Sequence, residues 1–298
     1  MTPPHGAFNP RRDESTNMKR SIICALLGVL ACTVSLAGQW PKFQAPGVPR
    51  DEQGAIRVDA PTPRTPDGKP DLTGNWTRAD GQGLAGRGRG AGVPPPPADP
   101  GSPPVATFGN LGVNMPGGLP FTPWAAELKK QRMATSSKEN PDANCLPLGI
   151  VQFHLQPQPR KIIQTPALVT ILYESNYGLR YIYMDGRQLP PQGQAQPWWY
   201  GYSVGRWDGD TLVVETNNFR DDEWLDVQGS PMTDQARVVE RFRRPTFGRL
   251  EIDVTIEDAK AYTTPFTVRI NQRATPDDEP FEFICNENQQ FRRRIKID

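Results

Sequence analysis

The segment Arg249-Leu-Glu-Ile-Asp-Val-Thr-Ile-Glu257 alternates without a break, placing Leu250, Ile252, Val254 and Ile256 opposite Glu251, Asp253 and Glu257. Only an extended chain with a two-residue period gathers these apolar side chains on one face, so the segment predicts an antiparallel strand that is half buried. Shorter runs of the same kind occur at Lys161 to Gln164, Leu168 to Glu174, Leu179 to Met184, Ser203 to Trp207, Thr211 to Thr216, Arg237 to Phe242, Phe266 to Ile270 and Phe281 to Cys285. Asp185-Gly186 and Asp208-Gly209 are hairpin-turn pairs, because both tolerate the positive φ that a tight turn needs. One-sided strands must cover their apolar faces. At least eight of them predict a mainly β fold, an antiparallel meander that closes into a barrel or folds into a sandwich, the barrel preferred.

The beginning of the chain has a different logic. Basic Lys19-Arg20, an apolar run from Ser21 to Leu36, and small Ser35 and Ala37 before Gly38 form the three parts of a secretory signal peptide, with cleavage expected after Ala37. Met18 stands directly before Lys19, so residues 1–17 read as upstream sequence or an extended leader. The apolar run is about 16 residues long, short of the roughly 20 that cross a bilayer, and predicts no stable transmembrane span. A competing reading takes Val29-Leu30-Ala31-Cys32 as a lipobox, with a lipoprotein anchored at Cys32. The expected location is periplasmic or secreted.

Export changes the cysteine count. Cys24 and Cys32 fall in the leader, and the remaining Cys145 and Cys285 are expected to pair in an oxidising compartment, closing a loop of about 140 residues; the alternative is two separate buried thiols. Charge changes with it. Of 34 basic and 33 acidic residues the leader removes four and two, leaving 30 and 31. So even a balance supplies no basic footprint, and no nucleic-acid partner is expected.

Residues 38–70 are rich in proline and polar residues and predict an irregular surface segment. A β-rich domain is expected over 71–298, its first strand opening at Asp71-Leu-Thr-Gly-Asn-Trp76. It is interrupted at about 81–104 by a tract containing Gly86-Arg-Gly-Arg-Gly90 and four prolines, Pro94 to Pro97, which cannot bury a core and is expected to be disordered. One short helix is predicted from Phe121 to Met133, capped by Thr122, with Pro123 in its first turn and Trp124, Leu128 and Gln131 along one face.

His154 is the only histidine after the leader, so a Ser-His-Asp triad has one possible centre and a multi-histidine zinc site has none. Walker loops, a Gly-x-Gly-x-x-Gly turn and Cys-x-x-Cys are missing from the sequence, and neither a cofactor nor a metal is implied. The aromatic stretch Pro197 to Tyr202, followed by Trp207, suits a lipid, an aromatic compound or a sugar, with Trp198, Trp199, Tyr202 and Trp207 as ligand-binding candidates. Glu240 shares strand parity with Val238 and Phe242, which turns it inward. Glu215 shares parity with Val213, although Leu212 and Val214 define an equally apolar opposite face. Two inward carboxylates would serve as general acid and base, and Arg206 or Arg241 would hold an anionic group. Asp221-Asp222-Glu223 with Asp226 reads as a solvated acidic loop docked by Trp224 and Leu225, in preference to a Ca²⁺ site.

Cys145-Leu-Pro-Leu-Gly149, Lys161-Ile-Ile-Gln-Thr-Pro166, Gly201-Tyr-Ser-Val-Gly-Arg-Trp-Asp-Gly-Asp-Thr-Leu-Val-Val-Glu-Thr216, Glu240-Arg-Phe242 and Cys285-Asn-Glu-Asn288 together resemble a large family of exported bacterial proteins of unassigned activity, over about Asp71 to Asn288. The resemblance implies histidine in relatives within the segment matching Gly229 to Thr233, where this chain has Met232. Gly74-x-Trp76 before antiparallel strands also resembles the lipocalin opening motif, which implies a lipocalin-like barrel around a small ligand. Three expectations follow from these readings: a small-ligand-binding barrel outside the cytoplasm, a glycoside-directed hydrolase or lyase using Glu215 and Glu240, and a structural envelope protein with a packed interior.

Overall fold

A computed structural model describes residues 43–79 and 101–285, all but Phe43 within a single unit, Gln44–Asp298. The segment expected to be a leader, with Cys24 and Cys32, lies outside the described residues, as do residues 80–100 of the Gly/Pro tract and the chain beyond Cys285.

Nine strands close into a barrel: β1 (Gly74–Arg78), β2 (Arg160–Gln164), β3 (Leu168–Tyr173), β4 (Gly178–Tyr183), β5 (Tyr202–Asp208), β6 (Thr211–Asn217), β9 (Arg237–Thr246), β10 (Arg249–Glu257) and β11 (Phe266–Ala274). A two-stranded ribbon of β7 (Glu223–Trp224) and β8 (Pro231–Met232) sits in the connection from β6 to β9. Around the barrel β1 is the closing stave, paired with β11 on one side and β2 on the other. The alternation of β10 is used as expected, and Leu250, Ile252, Val254 and Ile256 all point into the core. Of the two closures expected, the barrel is the one formed.

The meander is broken at one place. Asp185-Gly186 makes a turn, with Arg187 hydrogen-bonded back to Asp185, but no hairpin follows. Leu189 is followed directly by Pro190-Pro191, which offers no N–H for an antiparallel partner, and the chain crosses to return as β5, parallel to β4 through Ile182↔Ser203 and Tyr183↔Val204. The barrel is therefore mixed. Asp208-Gly209, by contrast, does join β5 to β6, with Asp208 facing Thr211 and Gly209 at φ +59°.

Phe281 to Cys285 is not a strand. A closed barrel leaves no free edge for it, since β1 already occupies the far side of β11. Residues 101–104, the end of the tract expected to be disordered, lie against β11, where the Arg269 amide donates to the Pro104 carbonyl at 2.9 Å and Arg269 Nη1 to Ser102 Oγ at 2.9 Å.

Helix α1 (Pro123–Ala134) starts from Thr122, whose hydroxyl accepts from the Ala125 amide at 3.3 Å. Its inner face is not the one expected. Ala125 is buried and Arg132 reaches the Gly229 carbonyl, whereas Trp124 lies outside, 43% exposed under Lys260. A second helix, α2 (Ile150–Leu155), is six residues long and buried throughout. Among the described residues no helix is long and apolar enough to cross a membrane. Cys145 and Cys285 form a disulfide with Cα atoms 5.5 Å apart, tying the chain before α2 to the segment after β11.

Candidate functional site

Helix α2 lies with every side chain buried and is clamped at its C-terminal end by cations. Arg160, inward on β2, donates to the carbonyls of His154 at 2.7 Å, Gln156 at 2.9 Å and Gln158 at 2.9 Å, and Arg78 on β1 reaches the Leu155 carbonyl at 2.8 Å. Guanidinium groups satisfy the carbonyls that a helix leaves unpaired and complement the negative end of its dipole. This fixes the helix so that His154 points at the barrel strands.

There His154 Nε2 meets Glu240 Oε1 at 2.7 Å. Arg180, inward on β4, grips the same carboxylate with both terminal nitrogens, Nη1 to Oε1 at 3.0 Å and Nη2 to Oε2. The guanidinium also donates from Nε to Ser203 Oγ at 3.2 Å and from Nη2 to Thr216 Oγ1 at 3.0 Å, and the two hydroxyls are 2.9 Å apart. His154, Arg180, Ser203, Thr216 and Glu240 are all buried. Burial alone would raise the Glu240 carboxyl, but the Arg180 charge and the hydrogen bonds from His154 and Arg180 outweigh it and bring it down to about 2. For His154, burial outweighs Glu240 and lowers the imidazole below its usual 6.5, helped by the charges of Arg180 and Arg160. The result is a neutral ring whose Nε2–H donates to a charged carboxylate. That tautomer leaves Nδ1 as a bare acceptor, and Nδ1 has no hydrogen-bond partner among the described residues.

Beside it runs a file of aromatic and acidic groups. Tyr173 meets the His154 ring edge-on at 5.9 Å and stacks on Phe153 at 4.5 Å, which in turn touches Tyr200 at 5.5 Å. Tyr173 Oη lies near Arg180 without a hydrogen bond of ordinary geometry, and burial pushes this phenol up to about 12. Gly178 lets the file close up: a Cβ there would meet Phe153 Cζ at 2.8 Å and Tyr200 Oη at 3.1 Å. Glu223, on β7 opposite Met232 of β8, presses its carboxyl against Gly149 at the start of α2. Neither Glu223 oxygen has a side-chain partner among the described residues; burial, with the nearby Asp222 charge, raises its pKa well above the usual carboxylate range. Burial is likewise what raises the Tyr200 phenol, with the charges of Tyr173 and Glu223 adding to it. Tyr173 and Tyr200 are therefore protonated donors at neutral pH, and Glu223 holds its proton to a higher pH than an ordinary carboxyl.

Glu223 also sets a pH dependence. Its folded-state pKa stands above the unfolded one, so the folded chain holds the extra proton and loses stability as pH rises through the range between them. The difference in unfolding free energy between Glu223→Gln and the wild type is expected to grow with pH above about 5, by at most about 1.4 kcal/mol per pH unit. Urea titrations at several pH values check it. Parallel stability curves would refute it.

The residues singled out by sequence divide between the two faces of the sheet. Glu240 is inside. Glu215 is outside, paired with Arg237 and, at 3.4 Å, with Arg206, which is 63% exposed. The register explains this: Glu240 faces Val214 across β6–β9, so Glu215 must point the other way. The two carboxylates do not share a concavity, and a paired-carboxylate glycosidase mechanism is not formed. Arg206 and Arg241 are also outside, the latter bound to Asp208 at 3.0 Å, so neither can hold an anion within the barrel.

The aromatics are similarly split. Trp207 packs against the core, whereas Trp198 and Tyr202 meet at 5.5 Å on the outer surface, where Tyr202 stacks on Tyr183 at 5.2 Å, and Trp199 lies under Arg220. Tyr200 is the member of that stretch that turns in. The acidic loop is corrected as well: Asp221 and Asp222 are exposed, but Glu223 and Asp226 are buried, Asp226 accepting from the Leu111 amide at 2.9 Å and Ser230 Oγ at 2.7 Å. Trp224 and Leu225 are buried beside them. Among the described residues no group of three or more His, Cys, Asp or Glu side chains is placed to hold a metal ion.

Comparison with models of known families, with curated proteins and with solved structures finds no match to this chain.

Proposed function

We propose that this is an exported barrel that binds a small, uncharged, partly apolar molecule at its α2 end, between His154, Tyr173, Tyr200 and Glu223. The observation that carries the reading is the buried acceptor His154 Nδ1, which has no partner among the described residues, beside the ring of Tyr173 and the Phe153–Tyr200 contact. An orphaned buried polar group costs about 1–3 kcal/mol, and contact with a ligand is one way to recover it. The apolar part of the molecule would lie against Phe153 and Phe242, which flank His154 and Tyr173. Arg180 is spent on Glu240, and Arg160 and Arg78 are spent on the backbone carbonyls of α2, so the groups left to meet a ligand, His154, Tyr173 and Tyr200, are neutral and favour an uncharged partner. Export is supported by the Cys145–Cys285 bridge, which persists in oxidising compartments, by the leader, and by the resemblance to exported bacterial proteins.

A thermal-shift screen of lipids, aromatic compounds, sugars and small ketones tests the reading. At least one class is expected to raise the melting temperature by roughly 5–10 °C at about a hundred times its Kd, and Tyr173→Phe with Tyr200→Phe is expected to remove most of that shift. A panel without a single stabiliser would sink the proposal.

A further inference from the structure

Resting on that binding site, we infer a chemical activity for it: the His154 end of the barrel transfers a proton at the carbon next to a carbonyl group, so its ligands are small enolisable ketones or aldehydes. Three geometric facts lead there. His154 is held by Glu240 at 2.7 Å through Nε2, which leaves the Nδ1 lone pair as the basic atom of the site. Two hydroxyl donors, Tyr173 and Tyr200, flank Phe153, and the Tyr173 ring meets the His154 ring edge-on at 5.9 Å. The aliphatic hydroxyls of the cluster, Ser203 and Thr216, are not free to attack, because they are bonded to each other and to Arg180. A base beside neutral hydroxyl donors, without a ready nucleophile among the described residues, suits enolisation better than hydrolysis.

The step balances without a co-reactant. His154 Nδ1 takes the proton from the α-carbon, the C–H electron pair becomes the carbon–carbon double bond, and the carbonyl π pair moves to oxygen, where the neutral donors stabilise the enolate. The imidazolium formed is stabilised by the Glu240 carboxylate. Its Nδ1 proton swaps with solvent, and the site then returns a solvent-derived proton to the same carbon, which is hydrogen exchange, or to a conjugated one, which isomerises the compound. Glu240 is here a positioning residue, since it acts through His154 and touches no reacting atom.

The test follows the exchange of α-hydrogens for deuterium by proton NMR, with cyclohexanone, 2-pentanone and butanal incubated with the full chain in D₂O, alongside thermal-shift binding of the same three compounds. Exchange with at least one compound is expected to exceed the buffer rate by about 100-fold or more, rising with pH through a value below 6.5 as His154 loses its proton. His154→Gln is expected to abolish it. Glu240→Gln is expected to move the pH profile as well as the rate, which loss of packing alone would not do. Tyr200→Phe, at a half-buried position that should tolerate the change, is expected to lower the rate at least about tenfold and keeps the test sharp if His154→Gln does not fold. Exchange at the buffer rate with binding intact overturns this inference alone. Absence of any binding, here and across the wider panel, overturns the reading beneath it.

Discussion

Replacing Glu240 by alanine is expected to lower the unfolding free energy by about 3–5 kcal/mol, the cost of leaving a buried charge without its partner. Arg180 is 1% exposed and sends two nitrogens to this one carboxylate, and its remaining partners, Ser203 and Thr216, are neutral. Removing the carboxylate also strands the Nε2–H of His154. The attribution is checked by a double replacement, Arg180→Met with Glu240→Leu, which removes both charges and fills the space with apolar side chains; its cost is expected to be far smaller and its sign open to reversal. Acid sensitivity gives a second readout. Glu240 is held near 2 in the folded state against about 4.5 when unfolded, so its stabilisation is complete above about pH 5 and is lost as pH falls through 2. His154, depressed in the folded state, acts in the same sense below about 6.5. Urea titrations of wild type and Glu240→Gln from about pH 7 to about pH 3 should converge towards the acid end. Equal midpoints at neutral pH would show that the cluster contributes nothing to stability.

How far such a cluster is legible beforehand depends on which face of each strand is the more apolar. On β9 parity suffices, because Val238 and Phe242 bracket Glu240 and a strand can hide only one face. On β4 the same rule points the wrong way: Leu179, Tyr181 and Tyr183 are the more apolar series, yet they face outward, and Arg180 goes inside with Ile182. Register, not composition, decides there, since Ile171 opposite Arg180 belongs to the core face of β3. Glu215 is the converse case. Its parity is ambiguous along β6 alone and is settled only when Val214 is seen opposite Glu240. Helix α2 escapes periodicity altogether, because six residues buried on all sides carry no amphipathic pattern. Glu223 is hidden by its neighbours, for Asp221 and Asp222 read as a solvated loop until the β7–β8 ribbon turns Glu223 under itself. What sequence does supply is the barrel, from the alternation of β10 and its companions, and the lone histidine around which the site is built. Long-range contacts supply the rest.

Loss of the Cys145–Cys285 bridge is expected to cost about 4–5 kcal/mol, the entropy released to the unfolded chain when a loop of 140 residues is opened. The consequence should also be local. Cys145 stands just before Gly149 and α2, and the partner segment is held to the barrel where the Phe281 amide donates to Glu174 Oε2 at 2.8 Å. Freed from the bridge, that segment keeps this anchor, but the approach to α2 loses its tie to the far end of the chain. Cys145→Ser, Cys285→Ser and the double variant are therefore expected to melt alike, roughly 10–20 °C below the oxidised wild type, and reductant should lower the wild type to the same point while leaving the variants unchanged. Hydrogen exchange separates the two effects: protection should fall first in α2 and residues 275–285 and least in β9 and β10. Variants that melt with the wild type under non-reducing conditions would mean that packing around α2, rather than the covalent tie, keeps the His154 end of the barrel closed.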